Sequence, residues 1–223
     1  MLDLRSVQES LGEFGLDGWL LYDFRGINGP ARRVLGLDEK PAGSRRFFYM
    51  IPSSGEPRKL VHAIEPRALD HLPGDRTIYR SWSDLEEGLV GLIGHGRRVA
   101  MEYAPDLSNP YISRVDGGTI EAVRKLGVNI VSSGDLIQLY EAALDDDQLR
   151  MHLEAEKVTT SAYDIAWSFI ADRVRNGGVV RETEVQSAIL AHFEKHDLTT
   201  YSPPNVSAGP HSGDPHYEPG AGG

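Results

Sequence analysis

The sequence predicts an α/β unit over residues 1–143, with helices on a mixed sheet, and a second unit over residues 144–223 that holds only part of a fold. Three observations carry this. Short apolar runs alternate with stretches of helical periodicity through the first 143 residues. The aspartate run Asp145-Asp146-Asp147 then changes the character of the chain. Two amphipathic patterns follow it with a single extended stretch behind them, and one unpaired strand is not independently stable.

The elements read as follows. Leu4, Val7, Leu11 and Phe14 recur at helical spacing, and Gly15 stops that helix. Gly18 to Asp23 is a short apolar run, a buried strand. Arg45 to Ile51 and Arg58 to Ile64 are strands joined by the turn formers Pro52 to Pro57, a hairpin. Glu65 to His71 is a short helix candidate and Thr77 to Arg80 a short strand. Trp82, Leu85, Leu89, Leu92 and Ile93 form one helix face, with Ser83 as its cap. Arg98 to Tyr103 is a strand, Ile120 to Leu126 lies in a helix, and Val128 to Val131 is a strand.

In the second unit the aspartates suit a helix N-terminus, and Gln148 stands at capping-box distance from Asp145. Met151, Ala155, Val158, Ala162, Ile165 and Phe169 mark one face of a long helix that Asn176-Gly177-Gly178 ends. A second helix runs from Thr183 to His196, burying Val185, Ile189 and Phe193. Thr199 to Glu218 reads as extended, and Gly220 to Gly223 has loop composition with nothing to close the fold.

Bulk properties exclude several functions. Acidic residues outnumber basic ones 33 to 23 for a net charge of −10, a field that repels phosphate backbones, so nucleic acid is not an expected partner. No cysteine is present, which removes disulfides, thiol nucleophiles and cysteine-ligated zinc. No run approaches the ~20 apolar residues that span a bilayer, and the N-terminus lacks the form of a secretory signal. No membrane association is expected, and cytoplasm is the default location.

Local motifs are mostly weak. His192 and His196 stand at i and i+4, but Phe193 holds the place where a zincin needs glutamate, so two border histidines on a helix are the better reading. Gly26-Ile27-Asn28-Gly29 lacks the lysine of a phosphate loop and reads as a tight strand-to-helix turn. The segment Asn205 to Pro219 is more informative, because two histidines, His211 and His216, lie on a chain stiffened by prolines. A surface loop with two solvated histidines is the reading that physics alone favours slightly; on an extended strand, residues five apart face opposite sides, so only one of the pair would face a cleft. Pro215 and Tyr217 flank His216, whereas flexible Ser212-Gly213 follows His211.

Asp214-Pro215-His216-Tyr217-Glu218-Pro219, after Pro203-Pro204-Asn205-Val206, resembles the first strand and histidine of a pita-bread catalytic domain. Gly15 to Gly26 resembles the opening of a creatinase-type N-terminal domain, and Met101-Glu102-Tyr103 and Asp145 to Gln148 fall where that family has them. The resemblance to the Xaa-Pro aminopeptidase, Xaa-Pro dipeptidase and creatinase family covers the whole chain in order. It implies a creatinase-like domain over 1–143 and, over 144–223, the truncated start of an α+β pita-bread domain.

It also implies a full-length hydrolase of Xaa-Pro peptide bonds, or of another small amide, working as a homodimer with two divalent metal ions (Mn, Co or Zn). The family's five metal ligands lie C-terminal to the position of His216, so the resemblance implies no metal ligand in this chain and no activity as written. The family's matching histidine gives His216 a catalytic and substrate-binding role beside the metals, and it gives none to His211. The competing reading is a non-catalytic binding or oligomerisation module derived from such an enzyme.

Overall fold

In the computed structural model, residues 3–37 and 40–220 are described, and the chain divides into two units, Met1–Ala143 and Leu144–Gly223. The first unit is a six-stranded mixed sheet with helices on both faces. In chain order it runs α1 (Leu4–Glu13), β1 (Gly18–Asp23), α2 (Gly29–Val34), β2 (Phe47–Pro52), β3 (Arg58–His62), β4 (Asp75–Tyr79), α3 (Trp82–Ile93), β5 (Arg98–Met101), α4 (Gly117–Lys125), β6 (Asn129–Ser132) and α5 (Gly134–Ile137). The sheet order is β4-β3-β2-β1-β5-β6. β2 is antiparallel to β1 and β3, while β3 with β4, β1 with β5 and β5 with β6 are parallel.

The apolar run of β1 is explained by its position inside this sheet, where all six of its residues are buried. Trp19 and Leu21 pack on one face with Val7 and Leu11 of α1, Val34 of α2 and Ile137 of α5. Leu20 and Tyr22 pack on the other with Leu85 and Leu89 of α3 and Ile120 and Val123 of α4. A strand covered on both sides loses the polar alternation of a half-exposed one. The hairpin of β2 and β3 has the expected antiparallel register, with Phe47 opposite Val61.

Three readings in this unit need correction. Residues 65–71 form successive turns and no helix. Glu65 precedes Pro66, which disfavours helical backbone before it, and its carboxylate is drawn back to the Ser44 N–H at 2.7 Å. The cap of α3 is Ser81 and not Ser83: Ser81 Oγ accepts the Asp84 N–H at 3.1 Å while Asp84 accepts the Ser81 N–H, a capping box. Trp82 is 71% exposed although Leu85, Leu89, Leu92 and Ile93 of the same helix are buried. A helical side chain leans toward the N-terminus, so the first residue of α3 covers ground beyond the helix itself.

In the second unit α6 (Asp146–Arg175) and α7 (Glu182–Lys195) pack together. α6 starts at the expected capping box, with the Gln148 N–H donating to Asp145 at 2.8 Å and the Asp145 N–H to Gln148 at 2.9 Å. The face expected to be buried on α6 is covered only at its middle. Ala162 is buried, whereas Met151 is 53% and Ile165 39% exposed. α7 spans about 21 Å at 1.5 Å per residue, so it covers only about half of α6.

The extended strand expected over residues 199–218 is not formed. Gly209–Gly213 is a 3₁₀ turn, and the chain continues through a turn at 215–216. Strand backbone needs a neighbour for its hydrogen bonds, and prolines 203, 204, 210, 215 and 219 offer no N–H at all. The groups are satisfied locally instead, His211 N–H to Ala208 O at 3.2 Å and Asp214 N–H to His211 O at 3.1 Å. Of the loop read at Gly220 to Gly223, all but Gly220 lies outside the described residues.

Candidate functional site

Two polar clusters stand out, one in each unit. The first lies at the ends of the parallel strands β1 and β5. Asp23 closes β1, and Glu102 directly follows β5. The turn after β1 uses left-handed backbone at Arg25 and Gly26, which turns Asn28 inward beneath the start of α2. Glu102 is fully buried and accepts from Trp19 Nε1 at 2.8 Å, Asn28 Nδ2 at 2.7 Å and Ser133 Oγ at 3.0 Å. Asp23 accepts the N–H groups of Gly26 and Asn28, each at 3.0 Å, and pairs with Arg32 at 3.3 Å.

Burial pushes the Glu102 carboxyl above its ordinary range, against the pull of its three donors. The cluster is closed to solvent, and the partners named fill it. It joins β1, β5, α2 and α5 into one rigid end of the sheet, which is a structural role. The Gly26 to Gly29 segment is the strand-to-helix turn expected of it.

The second cluster is built on the start of α7. Glu182 accepts the Ala208 N–H at 2.6 Å, the Tyr217 hydroxyl at 2.6 Å and His211 Nδ1 at 3.1 Å. The His211 and Tyr217 rings stack at 4.3 Å. Hydrogen bonding from Tyr217 first, then from Ala208 and His211, holds the Glu182 carboxyl below its ordinary range in spite of some desolvation. The same bond raises the Tyr217 hydroxyl. An imidazole that donates from Nδ1 to a carboxylate keeps Nε2 as an acceptor in its neutral form.

His216 stands outside this cluster. It is exposed in a turn whose backbone N–H donates to Asp214 at 2.9 Å. Its side chain lines a cleft of about 400 Å³ together with Gln186, Asn205 and Tyr217. Because 211 lies in a 3₁₀ turn and 216 in a second turn, the strand argument for opposite faces does not apply to this backbone. His192 and His196 meet edge to face at 4.8 Å, with His192 Nε2 at 2.8 Å from Ser161 Oγ. Among the described residues no group of three or more His, Asp or Glu is placed to hold a metal ion, so they do not fit a dinuclear centre.

With this geometry the chain can be set beside known structures. No family model matches it, and no curated protein matches it in sequence. Solved structures do. A dipeptidase from Pyrococcus horikoshii covers 97% of the chain at a TM-score of 0.57 and 19% identity. A prolidase from Thermococcus sibiricus covers 97% at 0.55 and 15%, and the dipeptidase PepE from Mycobacterium ulcerans covers 97% at 0.52 and 16%. The chain has the prolidase fold. It spans little more than half of each of these solved chains, 56%, 56% and 55% respectively. At these identities the likeness concerns the backbone of both units and leaves the chemistry to be argued from residues.

Sequence reasoning passed over Glu102 as a hub and missed Glu182 altogether. A carboxylate ending the apolar run Val99-Ala100-Met101 was a readable signal for the first. Glu182 carried none, because its partners lie 26 to 35 positions away.

Proposed function

We propose that the chain supplies the creatinase-type N-terminal domain and the first part of the catalytic domain of a metal-dependent hydrolase of Xaa-Pro dipeptides. The observation that carries this reading is the fold match over 97% of the chain to prolidase and dipeptidase structures nearly twice its length. The order of motifs from Gly15-Leu16-Asp17-Gly18 to Pro215-His216-Tyr217 supports it independently. In this reading the two metal ions bind side chains beyond residue 223, and residues 144–223 are the opening of the pita-bread domain. In this reading the active form is a homodimer, as the resemblance implies, and its location is the cytoplasm.

His216 is the residue assigned to the reaction. Placed beside the metals by the rest of the domain, its imidazole would hold the substrate carbonyl and the tetrahedral intermediate through hydrogen bonding. The test is hydrolysis of a Xaa-Pro dipeptide by a chain extended to the full prolidase length. His216→Ala is expected to lower kcat by about 10²-fold, the size of a lost transition-state hydrogen bond, with His211→Ala much milder. A full-length chain that folds but hydrolyses no such dipeptide would favour the non-catalytic module.

A further inference from the structure

In a chain of net charge −10, one cleft of the first unit gathers four guanidinium groups. It has a volume of about 510 Å³ and is lined by Arg25, Arg45, Arg46 and Arg80 together with His62 and Trp82. The sheet topology brings them to one end of four adjacent strands. β1 and β3 both run antiparallel to β2, and β4 runs parallel to β3. The chain leaving β1, β3 and β4 therefore meets the chain entering β2, which is where these residues stand.

Among the described residues none of the four arginines forms an ion pair. Three carboxylates stand near these arginines and offset part of their charge, Glu65 near Arg45, Asp84 near Arg80 and Asp116 near Arg46, while the hydrogen bonds they accept come from groups other than the guanidiniums. Glu65 accepts from Ser44 N–H at 2.7 Å, Ser44 Oγ at 2.8 Å and the Arg45 backbone N–H at 3.3 Å. Asp84 accepts the backbone N–H groups of Arg80 and Ser81 at 2.9 and 3.2 Å, and Asp116 takes the Tyr22 hydroxyl at 2.7 Å. Arg46 lies over two aromatic rings, 4.9 Å from the centroid of Phe24 and 5.5 Å from that of Trp82. A guanidinium held against two rings loses side-chain freedom, and its N–H groups remain available to a bidentate acceptor. His62 Nδ1 accepts the Ile64 N–H at 3.0 Å, so the neutral ring carries its proton on Nε2 as a further donor.

We propose that this cleft binds a small oxyanion, a carboxylate or a phosphate, with Arg46 as its fixed bidentate donor and Arg25, Arg45 and Arg80 as surrounding positive charge. The site explains why Trp82, the first residue of α3, stays exposed. It belongs to the first unit alone and does not depend on the Xaa-Pro reading.

The test uses the 223-residue chain labelled with ¹⁵N. Its three tryptophans give three indole N–H signals, and Trp82→Phe identifies the one at the cleft. Inorganic phosphate and succinate are titrated separately at low ionic strength. The Trp82 signal is expected to move saturably with at least one of them, phosphate or carboxylate being told apart by which is tighter. Arg46→Met should weaken that binding by at least about tenfold, with Arg46→Lys intermediate because it keeps charge without the fork. The Trp19 indole, held by Glu102, reports whether each variant is folded. If Arg46→Met fails to fold, the double variant Arg25→Gln/Arg80→Gln, at two exposed positions, must show the weakening instead. A shift that never saturates, equal shifts in all three indoles, or unchanged binding in the folded variants overturns the proposal.

Discussion

Glu102 in the first unit and Glu182 in the second, both buried, do comparable work at different depths. Each carboxylate gathers donors from distant parts of its own unit, Trp19, Asn28 and Ser133 in one case and Ala208, His211 and Tyr217 in the other. Glu102 is sealed between strands, and desolvation outweighs its donors, so its carboxyl is raised. Glu182 sits at the edge of a two-helix unit, and there hydrogen bonding outweighs desolvation, so its carboxyl is lowered. The difference teaches that a count of hydrogen bonds does not give the sign of a shift. The depth of the layer around the group decides it.

The largest effect expected from this comparison is on stability. Glu102→Ala leaves the Trp19 Nε1 and Ser133 Oγ hydrogens and one of the two Asn28 Nδ2 hydrogens without an acceptor, the other Asn28 hydrogen staying on the Tyr22 carbonyl at 2.7 Å, and should cost the first unit about 3–5 kcal/mol. Urea unfolding followed by fluorescence in a Trp82→Phe/Trp167→Phe background, where Trp19 is the remaining tryptophan, measures it, and a loss below about 1 kcal/mol would show that water replaces the carboxylate and the seal is imaginary. Glu182→Ala should leave that transition where it is. Its effect should appear in hydrogen exchange at residues 206–217, which lose protection once Ala208, His211 and Tyr217 have no common acceptor. Protection that survives the substitution would mean that local 3₁₀ bonds hold the segment without Glu182.

The pH dependence should differ in sign. A carboxyl lowered in the folded state gives stability that is complete above its unfolded value and lost as pH falls through the folded one. Glu182, lowered from 4.5, should therefore let its segment loosen on acidification below that value. Glu102, raised from 4.5, releases its proton in the unfolded chain first, so its contribution to stability falls as pH rises above 4.5. Tyr217→Phe removes the leading cause of the Glu182 shift, and a carboxyl ¹³C titration should find that group moved back toward 4.5. No movement would reassign the shift to Ala208 and His211.

The smallest effect tests the helix that carries the second unit. Asp145→Ala removes one half of the capping box on α6 and should cost about 1 kcal/mol. Thermal melting by circular dichroism would register it as a shift of a few degrees. A change indistinguishable from zero would mean that Asp146 and Asp147 cap the helix equally well.

Much of the fold was written in local pattern. The apolar run of β1, the hairpin of β2 and β3, the periodicity of α3 and the Asp145/Gln148 box each depend on residues within a few positions of one another. Short-range sterics and hydrogen bonds determine such features wherever the segment lies. The resemblance to the creatinase-type domain rested on short motifs in order, Gly15 to Gly26, Met101-Glu102-Tyr103 and Asp145 to Gln148. Tertiary structure alone decided the rest. Residues 199–218 carry an extended-looking pattern, but a strand exists only through a neighbour's backbone, and without one the same prolines and glycines close local turns. Whether Glu102 and Glu182 are raised or lowered, and whether Arg46 lies over Phe24 and Trp82, depends on groups brought together from across the chain. Charge and desolvation act through space, so the sequence determined which groups were available and the packing determined what each of them became.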